Sequence, residues 1–288
     1  MRTTRKQQGE LESTHPAERL ALVGAVIVAA LSMAPLYWAL VSSLRPGADI
    51  LKYLSPLSIW TFIPNRLTLE NLVNVWSGPF GRSMMNSVIV ALVTIVLGLV
   101  MCSMAAFALA KLRIPGKAAI FSIVIVSFLI PFDAIAVPLL SLFRSFGLQN
   151  TYLGIILPGV GNGFAVFMLR QFFLGIPPEL SDAARVDGLG WFGVFLRIYL
   201  PLSGPALISA GLILFVFQWQ AFLWPLLIAP DPNYKVAAVA TADFAGQFST
   251  DFGALFAATI IVSIVPLVIL LAFQRYFTAS VASSGTKE

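Results

Sequence analysis

Six stretches of the chain are free, or nearly free, of Asp, Glu, Lys and Arg: residues 20–44, 83–110, 118–143, 145–169, 198–230 and 252–274, with Asp133 interrupting the third. Each matches or exceeds the roughly 20 apolar residues that an α-helix needs to cross about 30 Å of hydrocarbon. They predict six membrane-spanning helices at about 20–44, 83–110, 118–143, 152–174, 201–228 and 252–276. The expected fold class is therefore all-α, a polytopic membrane protein. A transmembrane domain of residues 20–276 follows an N-terminal tail of residues 1–19 and precedes a C-terminal tail of residues 277–288. No domain-sized polar segment and no internal repeat breaks this organisation.

Composition agrees. Of 288 residues, 58% are hydrophobic and 11% charged, and the mean hydropathy is +0.89. A soluble domain is about 45–50% apolar and about 25% charged, so this chain has too little polar surface to dissolve as a compact globule. The net charge of +5 is not gathered on one face, as nucleic-acid binding would require, but sits at the ends of apolar runs. With the N-terminus inside, the outer segments hold only Arg45, Lys52, Arg66, Arg82, Arg144 and Lys235 of the 18 basic residues, leaving the other 12 inside. The positive-inside rule thus favours N-in, C-in. The first apolar run is too long for the 7–15 residues of a signal-peptide core and has no small-x-small cleavage site, so it reads as a retained helix.

The outer loop from Arg45 to Arg82 is broken by four prolines, and within it residues 67–76 predict a short amphipathic helix lying on the membrane. Trp38, Trp60, Trp76, Trp219 and Trp224 fall near span ends or in that loop, as interfacial anchors do, although Trp is also common in cores.

Catalytic chemistry finds no foothold. The single His15 lies in a polar tail, the single Cys102 excludes a disulfide framework, and the acidic residues form no assembled pair. A phosphate-cradling G-x-x-x-x-G-K-[ST] loop is missing too, since no Lys is followed by Ser or Thr. The chain is expected to be no enzyme and to bind no cofactor or metal itself. If ATP drives it, another subunit binds the nucleotide.

Three places in the spans carry polar groups. Asp133, in LIPFDAIAVP, would cost about 2.5–3.5 kcal/mol at mid-membrane. It therefore either lines a translocation path or gate, helped by the loosening prolines Pro131 and Pro138, or snorkels to the outer interface. The glycines of ILPGVGNGF allow either an unwound segment exposing Asn162 or close helix packing. Gln218, Trp219 and Gln220 combine amides with an indole face, which suits sugar hydroxyls and C–H faces. Helix–helix hydrogen bonding accounts for them too.

The inner segment of residues 175–200 is too polar to cross. Pro177 and Pro178 favour a helix start, and Glu179 and Asp182 suit its positive end. Ala183 and Ala184 are strongly helical and small, and Gly188 and Gly190 stop the helix before a second amphipathic stretch runs from Trp191 to Pro201. A helix-turn-helix is thus presented to the cytoplasm, with room for a partner to approach closely.

Asp182, Ala183, Ala184, Gly188, Ile198, Leu200 and Pro201 stand at the spacing E-A-A-x-x-x-G-x9-I-x-L-P, with Asp for the first Glu. The segment resembles the cytoplasmic loop of permease subunits of bacterial ABC importers. The resemblance spans nearly the whole chain, through PLYWALVSSLRP, NSVIVA, AAFALAK, FMLRQFFLGIPPEL, QWQAFLWPLLI and QRYF. It narrows to the carbohydrate-uptake branch, similar to the second membrane subunit of maltose-type importers. It implies a type I ABC importer permease fold in the bacterial plasma (inner) membrane, a second homologous permease, two ATPase subunits that bind ATP and Mg, and an external, periplasmic or lipid-anchored solute-binding protein. By this resemblance Glu179, Asp182, Ala183, Ala184, Asp187 and Gly188 would couple the chain to an ATPase subunit. The family's Gly-rich C-terminal end is replaced here by TASVASSGTKE. The expected function is a permease for a sugar or oligosaccharide. A glycerol-3-phosphate or glycerophosphodiester importer is the alternative, and a stand-alone secondary transporter the second.

Overall fold

The computed structural model describes residues 16–246 and 250–285. The tail of residues 1–15, with His15 and three of the basic residues used for orientation, lies outside the described residues, as do residues 286–288 with Lys287.

Among the described residues three continuous helices have the length and hydropathy of a span: α1 (Pro16–Ser43), α3 (Pro79–Lys111) and, after α12 (Ala237–Asp243), α13 (Phe252–Gly285). The other three expected spans are bent pairs. α4 (Lys117–Leu129) and α5 (Phe132–Ser145) meet at 98°. Pro131 forces Ile130 into extended backbone there (ψ 122°), because a residue before proline is excluded from the α region. α6 (Tyr152–Val160) and α7 (Gly163–Leu174) meet at 42° across Gly161 and Asn162. α9 (Trp191–Leu202) turns by 84° at Ser203 into α10 (Gly204–Trp219). The expected third, fourth and fifth spans are thus each built from a broken pair of helices. The helix of the fifth span stops at Trp219 and resumes as α11 (Leu223–Ile228).

α3 is the axis of the bundle. Near its C-terminal end Cys102, Ala106 and Phe107 pack with Leu169 and Phe173 of α7 and with Tyr199. Nearer its start Phe80, Met84 and Ala91 join Phe215 and Trp219 of α10 and Ala254, Ala257 and Ala258 of α13. α1 lies against α13, with Trp38 edge-on to Phe256 at 4.9 Å. Leu20, Leu22, Val28 and Leu31 on α1 remain exposed, as a lipid-facing helix requires.

The amphipathic segment expected to lie on the membrane is α2 (Glu70–Ser77). It packs on the bundle through Val75, buried against Phe80 and Met84, while Val73 and Trp76 stay exposed. Trp219 and Trp224 are likewise buried, and their indole N–H groups donate to the carbonyls of Val262 (3.3 Å) and Gly154 (2.9 Å). They are core residues rather than interfacial anchors. Residues 277–285, expected as tail, continue α13.

Beyond α1, Arg45 is only 1% exposed and donates through Nη2 to the Thr61 carbonyl at 3.1 Å. Burial pushes its guanidinium pKa below the usual value, opposed by Asp49.

Candidate functional site

Two places hold the residues singled out from the sequence. The first is α8 (Pro178–Val186), between α7 and α9. Pro177 has ψ 131° and Pro178 occupies the first helical position, where a missing N–H costs nothing. Glu179 stands in the first turn and Arg185 in the last, both matched to the helix dipole. Gly188 then takes φ +87°, and its N–H reaches the Arg185 carbonyl at 3.1 Å while that of Leu189 reaches Ala184 at 3.0 Å. This paired closure is a Schellman cap.

The phase of α8 separates its residues. Glu179, Asp182, Ala183, Asp187 and Gly188 are exposed, with Val186 at 88%. Ala184, 7% exposed, faces the other way, into the apolar cluster with Val194 and Tyr199. Ser181 is buried beside it and shares a 2.7 Å hydrogen bond with the hydroxyl of Tyr199. A recess of about 750 Å³ opens next to the exposed face, lined among others by Lys111, Arg113, Asp182, Arg185 and Trp191. Arg185 lies over the Trp191 ring, 4.5 Å from its centroid, a cation–π contact. Lys111 Nζ donates to the Ile176 carbonyl at 2.9 Å.

The second place is a cavity of about 620 Å³ where the α4–α5 bend faces α6, α7 and α10. Asp133, Asn162 and Gln218 all line it, together with Phe128, Phe132, Phe217 and Trp224. Asp133 is exposed in the first turn of α5 and so does not sit in mid-helix. Asn162 caps α7, its Oδ1 accepting the Ala165 N–H at 2.9 Å. Gln218 Oε1 accepts from the Thr94 hydroxyl at 3.4 Å. Trp219 faces α13 through its bond to Val262, and Gln220, though exposed, is not among the lining residues. Only one residue of the Gln-Trp-Gln triplet therefore lines the cavity. Trp224 holds Phe132 edge-on at 5.7 Å, a role the sequence signalled only by its place near a span end.

Lys111, Ser181, Trp191 and Tyr199 also escaped sequence reasoning. Their signal was faint: a lysine closing an apolar run, and aromatic residues spaced along α9. Among the described residues no group of three His, Cys, Asp or Glu side chains gathers to hold a metal ion.

Residues 95–283 match the family model described as the binding-protein-dependent transport system inner membrane component. The arabinooligosaccharides transport system permease protein AraQ of Halalkalibacterium halodurans is 34% identical over 271 residues, which cover 93% of this chain and 96% of that one. The sn-glycerol-3-phosphate transport system permease protein UgpE of Escherichia coli O1:K1 is 32% identical over 260 residues, 87% of this chain and 90% of that one. Among solved structures, a chain of a bacterial ABC transporter involved in the import of the acidic polysaccharide alginate superposes with a TM-score of 0.77 at 23% identity, covering 92% of this chain and 99% of that one.

Proposed function

The chain belongs to the family of binding-protein-dependent transport system inner membrane components and is a permease subunit of an ABC importer, and from that premise we propose that its cargo is a sugar or oligosaccharide. In this reading an external solute-binding protein delivers the saccharide, and a second homologous permease completes the path. Two partner subunits bind ATP and Mg, and one of them docks on the exposed face of α8. Both chain ends lie on the cytoplasmic side. This permease needs no nucleotide site of its own, because its work is to be moved by one.

The observation that carries the docking reading is the α8 face itself. Glu179, Asp182 and Ala183 on α8, and Asp187 and Gly188 in the turn that caps it, are exposed, while the other side of the helix is fastened to the bundle. A single methyl at Ala183 and none at Gly188 leave room for a partner's surface to close in. The flanking recess adds Lys111, Arg113 and Arg185 as cations around Asp182, so a partner of mixed charge is complemented. Closure of the ATPase subunits would pull on α8 and reshape the bundle above it.

The cargo reading rests on the cavity lining. Aromatic rings and the amides of Asn162 and Gln218 suit the apolar C–H faces and the hydroxyls of a saccharide. The relation to AraQ, whose name assigns it arabinooligosaccharides, supports the same class. UgpE favours glycerol-3-phosphate as a second reading. Against it, Asp133 is the one charged group among the lining residues, and no Lys or Arg lines the cavity to offset a phosphate. Family membership sets aside a transporter working alone.

Purification from the native membrane tests the assignment. A second permease, an ATP-binding subunit and a saccharide-loaded binder should accompany the chain, and the ligand eluted from that binder identifies the cargo. A phosphorylated ligand would select the second reading.

A further inference from the structure

α8 is fastened to the rest of the molecule at few points. Of its nine residues only Ser181 and Ala184 are buried. Ala184 offers one methyl group to the core and Arg185 makes an exposed contact with the Trp191 ring, so the buried polar tie is the 2.7 Å hydrogen bond between Ser181 Oγ and the Tyr199 hydroxyl.

Tyr199 carries that tie into three other elements. Its side chain is 0% exposed, and its ring stands edge-on to Phe107 of α3 at 5.0 Å and to Phe173 of α7 at 5.6 Å. Lys111 of α3 lies 5.5 Å from the ring centroid while its ammonium holds the Ile176 carbonyl, just beyond α7. The main-chain carbonyl of Tyr199 accepts from Ser203 Oγ at 2.6 Å, at the residue where α9 turns by 84° into α10. Tyr199 also closes the π-helical segment Phe195–Tyr199, and π-segments recur at functional sites.

Packing alone does not call for the hydroxyl. The neighbours Phe107, Phe173, Val194 and Phe195 are apolar, and a phenylalanine would fill the space without burying a polar group. A buried hydroxyl costs free energy unless bonded, and once bonded it fixes a single arrangement. Here that arrangement is the seating of α8 on the spans.

We propose that Tyr199 is the positioning residue that transmits displacement of α8 to the membrane spans. Its hydroxyl holds Ser181, its ring bears on α3 and α7, and its carbonyl holds the turn into α10. This rests on the reading that the ATPase subunits dock on the exposed face of α8.

The test uses the whole complex in liposomes, with loaded binding protein outside, and reads saccharide imported per ATP hydrolysed. Tyr199→Phe, Ser181→Ala and the double variant are compared with wild type. Each single variant should keep its ATPase subunits and hydrolyse ATP, while import per ATP falls about fivefold, the factor that one buried hydrogen bond is worth. The double variant should be no worse than either single one, because all three lack the same bond. Unchanged import per ATP overturns the proposal. Additive effects overturn it as well, as does a parallel loss of import and hydrolysis, which marks an ordinary packing role. Should Tyr199→Phe fail to assemble, Ser181→Ala alone decides on the same ratio. A wild-type complex that retains no ATPase subunit would instead refute the docking reading and remove the premise, a result distinct from retained subunits with unaltered coupling.

Discussion

Gln218 fills the space that Gly159 leaves open: a β-carbon on Gly159 would lie 2.5 Å from Gln218 Oε1 and 3.0 Å from Thr94 Cγ2. The amide of α10 is thereby held against α6 at the cavity wall, with its oxygen on the Thr94 hydroxyl. Gly159→Ala should displace that amide, the far end of a flexible side chain, without unfolding the bundle. The expected outcome is a KM for import raised about fivefold, as for one lost hydrogen bond, with complex assembly and kcat little changed. Transport assays over a saccharide concentration series check it. An unaltered KM would remove Gln218 from the path.

Gly188 is held at φ +87°, where a side chain adds roughly 1–2 kcal/mol of backbone strain. Among the described residues beyond its chain neighbours nothing lies within 4 Å of a β-carbon there, so in the proposed docking a larger residue meets the partner surface. Gly188→Phe should leave the amount of protein in the membrane normal and abolish import. Immunoblots of membranes beside uptake measurements separate the two effects. Normal uptake at normal protein levels would contradict the docking role of this turn.

Asn86 anchors the segment leading into the helix Ala237–Asp243. Only 2% exposed, it donates from Nδ2 to the carbonyls of Asn233 and Lys235, both at 2.9 Å, and accepts from the Tyr152 hydroxyl at 2.8 Å. Asn86→Ala removes three hydrogen bonds to part-buried partners, each worth about 0.5–1.5 kcal/mol. The purified complex should melt several degrees lower, and residues 229–236 should be cut faster by protease. A melting temperature equal to wild type would show that water replaces these bonds at no cost.

Much of this was legible in the sequence. The apolar runs mark the spans because only helices can satisfy backbone polar groups in lipid, and Pro178 and Gly188 bound α8 because each is suited to one end of a helix. What stayed hidden depends on rotation and bending. Ala183 and Ala184 are identical neighbours, yet one residue is a 100° turn of helix, so contact with Tyr199 and Val194 buries only the second. For the same reason Gln218 meets the cavity while Trp219 meets Val262. Pro131 signals a break in the third span, but not its 98° angle, and the break places Asp133 in the first turn of α5 rather than in mid-helix.

The most direct test of the account is ATP hydrolysis by the reconstituted complex with and without saccharide-loaded binding protein, for the wild type and for a chain with Asp182→Lys and Gly188→Phe on α8. Loaded binder should stimulate hydrolysis and drive import in the wild type, and the altered α8 should lose both while the protein stays in the membrane. Import that proceeds without ATPase subunits, or binder-stimulated hydrolysis that survives the altered α8, would contradict it.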